Sequence, residues 1–103
     1  MSDLENIVME LVVSGGNARA CAIEALRAAK TGDFHKAAGL INECNEALEG
    51  AHKVQTEVLQ SEARGGRMEV SLLMVHAQDH LMNAITVKDL VVEMIDILKA
   101  KGE

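Results

Sequence analysis

Near the start of the chain, apolar or small side chains recur at Leu4, Val8, Leu11, Gly15, Ala18, Ala22, Ala25 and Ala29. The steps alternate between four and three residues, which returns each side chain to one helix face. This predicts a first helix over about 2–31 with a coiled-coil-like stripe. The register survives Ser14-Gly15-Gly16, so that cluster reads as a weak point or bend inside one helix, not as a domain boundary. A phosphate-cradling loop would need a preceding strand and a following Lys-Ser/Thr, and neither is present. A tight crossing of a neighbouring chain, or room for a substrate group beside the backbone, stays open.

Lys30-Thr31-Gly32-Asp33 carries a stop and a start, with Gly32 as the residue just past one helix and Asp33 as the N-cap of the next. The second helix is predicted over about 33–62, with Phe34, Ala37, Ile41, Cys44, Leu48, Ala51, Gln55 and Val58 or Leu59 on its inner stripe. His52 and Gln55 fall toward the end that folds back on a third helix. Arg64-Gly65-Gly66-Arg67 forces another reversal, and the third helix is predicted over about 68–100. At about 1.5 Å per residue it is roughly 50 Å long. The fold class is all-α, an antiparallel three-helix bundle in a single domain over 1–103, without repeat or linker.

On a helical wheel with Asp79 as origin, the apolar positions of the third helix, among them Leu81, Ala84, Val87, Leu90, Val91, Met94 and Ile97, cover about two-thirds of the circumference. Packing within a three-helix domain needs a narrower arc. The surplus implies a second buried interface, most simply between copies of the chain. Gln78, Thr86, Asp89, Glu93 and Asp96 form the remaining solvated strip.

Composition narrows the function. Proline is absent and Phe34 is the single aromatic residue, which favours helix and leaves packing to aliphatic side chains. Ten Lys+Arg against sixteen Asp+Glu give a formal charge of −6, with no basic cluster and almost nothing to stack on a base, so nucleic acid is not an expected partner. No apolar run reaches the roughly eighteen residues of a membrane span. Asp3 and Glu5 stand where a signal peptide would carry Lys or Arg. A cytoplasmic protein without membrane insertion is expected. Cys21 and Cys44 form no CxxC and read as small buried hydrophobes.

The chemistry concentrates in Val70 to Asn83. His76, Asp79, His80 and Asn83 stand at i, i+3, i+4 and i+7, sharing a face among aliphatic neighbours where burial is expected. Four readings compete. A zinc site has the i, i+4 histidine spacing, but Ala77 stands where a metalloprotease has Glu, and no third ligand is nearby. A two-component phosphotransfer domain would usually place Lys and Gly soon after its His. A structural oligomer could use the polar cluster to set register. A phosphocarrier needs a neutral imidazole to attack a phosphoryl donor and little beyond positioning.

Val75-His76-Ala77-Gln78-Asp79-His80-Leu81-Met82, with Ala51-His52-Lys53-Val54-Gln55-Thr56 and Gly32-Asp33-Phe34, closely resembles the lactose/cellobiose class of enzyme IIA components of the bacterial phosphoenolpyruvate-dependent sugar phosphotransferase system. The resemblance covers nearly the whole chain. It implies a homotrimer, a nine-helix coiled-coil-like assembly. It also implies a phosphotransferase component in which His76 accepts a phosphoryl group from phospho-HPr through Nε2. His76 then passes the group to the cognate IIB, and with it membrane IIC, for uptake of cellobiose, chitobiose or lactose. Val75 and Ala77 are closer to the cellobiose/chitobiose branch. Gln78 and His80 match the motif's supporting glutamine and second histidine. Asp79 matches the aspartate at the threefold axis, where protons or a hard cation such as Mg²⁺ would compensate three carboxylates. No organic cofactor is implied. The partner face is expected to be an apolar patch around His76, between adjacent subunits. The alternative is a non-catalytic helical oligomerisation or metal-binding module.

Overall fold

The computed structural model describes residues 3–67 and 70–102, and every described regular element in it is helical. Helix α1 spans Asp3–Lys30, α2 Phe34–Ala63 and α3 Leu72–Lys101. The expected starts at Ser2 and Met68 lie outside the described residues. The bundle is an elongated rod of 53 × 25 × 20 Å. α1 is its middle member, packed along both others, whereas α2 and α3 meet over a shorter stretch.

Each reversal follows from its residues. Gly32 has φ +85°, the Asp33 amide donates to Ala28 O at 3.0 Å and the Gly32 amide to Ala29 O at 3.0 Å. This pair of bonds satisfies carbonyls that the end of α1 would leave unpaired. Asp33 then starts α2, its carboxylate accepting from the Lys36 amide at 3.1 Å. Gly65 (φ +93°) closes α2 in the same way, with the Gly66 amide on Ser61 O at 2.9 Å.

The third helix begins later than expected. Val70 and Ser71 are not helical, because Ser71 is extended (φ −118°, ψ 160°) and its hydroxyl accepts from the Met74 amide at 3.1 Å. A hydroxyl that satisfies the first turn from outside fixes the boundary there.

The core is narrow. On α1, Val8, Leu11, Gly15, Ala18, Ala22, Ala25 and Ala29 are buried, the expected stripe apart from its half-buried first member Leu4. α1 runs unbroken through Gly15 and Gly16. α2 contributes Ala37, Cys44, Leu48, Ala51 and Gln55, and α3 contributes Met74, Ala77, Leu81, Ala84 and Val91. So much alanine brings the helix backbones close together, and Leu11 and Leu81 fill the space between them.

Candidate functional site

α3 uses two opposite faces. Met74, Ala77, Leu81 and Ala84 face the bundle, so the helical period turns His76, Asp79 and Asn83 outward. All three are exposed in the single chain, so the three-helix bundle itself does not bury them as expected. Apolar neighbours in sequence are not burial, because much of that apolar surface is also outside. Leu72, Leu90, Met94 and Ile97 are 85%, 54%, 44% and 58% exposed. The outward face repeats every seven residues in two series, Leu72, Asp79, Thr86, Glu93 and His76, Asn83, Leu90, Ile97. Around His76 it mixes Asp79 and Asn83 with exposed Leu72, Leu73 and Val75, and it is largely apolar toward the C-terminal end. Thr86, Asp89, Glu93 and Asp96 are exposed, as expected of the solvated strip, and Thr86 and Glu93 lie on this outward face.

His76 and His80 come together, their rings stacked at 6.0 Å between centroids and 27° between planes. His80 is half-buried because its ring lies on α1 at the glycine pair. A Cβ placed on Gly15 would stand 3.1 Å from His80 Cδ2, and one on Gly16 would stand 3.3 Å from His80 Nε2. The glycines thus make room for an imidazole of the same chain. Gly15→Ala is expected to change stability by less than about 1 kcal/mol, since better helix propensity offsets the tight contact. Gly15→Leu should displace the ring and cost about 1–3 kcal/mol as overpacking. Thermal unfolding, with the His80 ring resonances read by NMR, checks both.

Gln78 lies on the other flank, turned toward α2. Its Oε1 accepts from Gln55 Nε2 at 2.7 Å, so the reading of Gln78 as part of a solvated strip is corrected. His76 and Gln78 are two residues apart, hence about 200° apart around the helix, and one chain does not bring them together. Gln55 is the hydrogen-bonding neighbour of Gln78 that sequence reading missed in this role. Its signal is an amide on an otherwise apolar stripe.

The cysteines offer no competing chemistry. Burial, then the charges of Glu43 and Glu24, push the Cys21 thiol up. Burial and neighbouring Cys21 raise that of buried Cys44. Both thiols stay protonated near neutrality, whereas nucleophilic work needs the thiolate. Among the described residues, no three His, Cys, Asp or Glu side chains converge on a point that could hold a metal. Asp79 supplies one exposed carboxylate per chain. It fits a cation only if copies bring such carboxylates together. Among the described residues, no helix is long and apolar enough to cross a membrane.

Residues 6–99 match the family model described as PTS system, Lactose/Cellobiose specific IIA subunit. The lichenan-specific phosphotransferase enzyme IIA component of Bacillus subtilis (strain 168) is 48% identical over 95 residues, covering 92% of this chain and 86% of that protein. The crystal structure of the PTS cellobiose-specific enzyme IIA from Bacillus anthracis superposes with a TM-score of 0.93 at 49% identity, covering 99% of this chain and 94% of that one. A similar fold, with a TM-score of 0.83 and 39% identity over 100% of both chains, occurs in the solution structures of the IIA(Chitobiose)-HPr complex of the N,N'-diacetylchitobiose branch of the Escherichia coli phosphotransferase system. With its three helices, its histidine pair and matches of this extent, the chain belongs to the lactose/cellobiose-specific enzyme IIA family of the sugar phosphotransferase system.

Proposed function

We propose that the chain is a phosphocarrier that takes a phosphoryl group from phospho-HPr onto His76. It delivers the group to a cognate IIB component, and through it to membrane IIC, for uptake and phosphorylation of a β-linked disaccharide of the cellobiose or chitobiose kind. The observation that carries this is the exposed His76 ring, held beside His80 on the outward face of α3. A carrier must offer its acceptor to two proteins in turn, and an imidazole on the surface of the single chain, at the more polar end of the face along which copies would meet, can be approached in line by either. In the forward step the neutral ring's Nε2 lone pair bonds to phosphorus while the donor's bond to phosphorus breaks. Delivery is the same exchange with IIB as acceptor. Kinship with a IIA solved in complex with HPr supports the donor.

The carrier works as a homotrimer assembled along the outward face of α3, with Asp79 near the axis. The exposed Leu90, Met94 and Ile97 supply the apolar half of such a seam. Cyclic symmetry sets one flank of each α3 against the opposite flank of the next. His76 of one copy then meets Gln78 of its neighbour, which one chain alone cannot arrange. Three Asp79 carboxylates gathered at the axis would repel unless protonated or bridged by a hard cation such as Mg²⁺.

The test is to supply phosphoenolpyruvate, enzyme I and HPr and to measure bound phosphate. A carrier gains about one acid-labile phosphate per chain. A purely structural oligomer gains none. Labelled chain offered to candidate IIB proteins then identifies the partner, and with it the sugar.

A further inference from the structure

Gln55 is a polar side chain in an apolar place. It is 8% exposed on the face of α2 formed by Cys44, Leu48 and Ala51. Burying an amide there is unfavourable unless hydrogen bonds replace those to water, and packing alone would be served by Leu or Met. Its Nε2 donates to Gln78 Oε1 at 2.7 Å and approaches Met82 Sδ at 3.4 Å. With that carbonyl engaged, the other end of the Gln78 amide is left to act. Its Nε2 has a long 4.0 Å approach to Met74 Sδ, and a thioether is a weak acceptor. Phosphoryl oxygens only accept hydrogen bonds, so which end of the Gln78 amide is free to meet one decides between attraction and repulsion.

We infer that Gln55 is a positioning residue for phosphoryl transfer. It holds the Gln78 carbonyl inward and so presents the Gln78 NH₂ group to the phosphoryl group on His76 of an adjoining copy. This rests on the phosphocarrier reading. It adds a residue on a different helix that touches neither phosphorus nor imidazole.

The test compares Gln55→Glu with Gln55→Leu, each also in a Gln78→Leu background. Glu nearly preserves shape but offers only acceptors when ionised, so the Gln78 amide must turn its NH₂ inward and its carbonyl outward. Leu releases the amide without reversing it. Transfer from phospho-HPr is expected to slow about tenfold in Gln55→Glu, the loss of one well-aimed hydrogen bond, and less in Gln55→Leu. The Gln78 side-chain NH₂ resonances should shift in both. In the Gln78→Leu background neither substitution should slow transfer further. An unchanged rate in Gln55→Glu, a fall undiminished in the Gln78→Leu background, or a larger fall in Gln55→Leu overturns the inference. Should Gln55→Glu fail to fold, Gln55→Leu decides alone, and an unchanged rate overturns it. The amide resonances are read without phosphate transfer. A wild-type chain that takes no phosphate therefore removes the carrier reading even where the Gln55–Gln78 bond is confirmed.

Discussion

A His76→Ala chain should take up no phosphate from phospho-HPr, against about one per chain in the wild type, a fall in transfer of at least about a thousandfold because the nucleophile itself is gone. His80→Ala should still label, at a reduced rate. The two imidazoles differ in access more than in chemistry. His76 is open to solvent, so a donor protein can bring phosphorus to the ring. His80 is half-buried, with Nε2 turned toward the backbone at Gly16, where a Cβ would stand 3.3 Å away. Its free edge lines a cleft on α1 beside Gly16, Arg19 and Arg27, away from the outward face that His76 occupies. Removing His80 takes away the stacked neighbour at 6.0 Å and frees His76 to adopt other rotamers, which costs rate and not capacity. Mass measurement of the intact chain after incubation decides the matter. Phosphate retained in His76→Ala would place the acceptor elsewhere.

Replacing both Leu90 and Ile97 with Glu should break the proposed trimer, so that the protein sediments as single chains of 11.1 kDa and not as three together. Each side chain is more than half exposed in the isolated chain, and the change adds up to six carboxylates to the seam where apolar area should be removed from water. Asp79→Leu tests the other half of the same face and should act in the opposite sense. In that trimer it would remove three mutually repelling charges and substitute aliphatic packing, which is commonly neutral or stabilising by about 1–4 kcal/mol. Equilibrium sedimentation of both variants separates two ways of holding the trimer. If Asp79→Leu falls to single chains, a cation bridging the carboxylates carries the assembly and the apolar half does not.

Much of the fold was legible because its causes are local. The four-three stepping from Val8 to Ala29 reports a buried stripe wherever that helix packs, and Gly32 with Asp33 marks a boundary through backbone conformation and one carboxylate–amide bond. Ser71 caps α3 by the same local chemistry, but the two glycines before it drew the boundary too early. Relations between helices were not legible. A wheel fixes the angle of Gln78 without saying which neighbour lies at that angle, and its partner Gln55 is 23 residues away. The wheel likewise shows His80 near His76 but not that Gly15 and Gly16 lie beneath it. The family resemblance pointed to His76, His80, Gln78 and Asp79 without giving their surroundings. His76 and Asp79 stand on the exposed side, a side that periodicity alone could not tell from the core because both sides of α3 carry aliphatic residues.

The placement of His76 and Gln78 on opposite flanks of α3 reaches beyond the single polypeptide. In the proposed trimer a working centre would have two parents, so damage to the acceptor in one gene product and to the amide in another need not add up. When such products blend at random, some rings would inherit a sound half from each side, and the cell would retain a fraction of its capacity that neither defective product possesses alone.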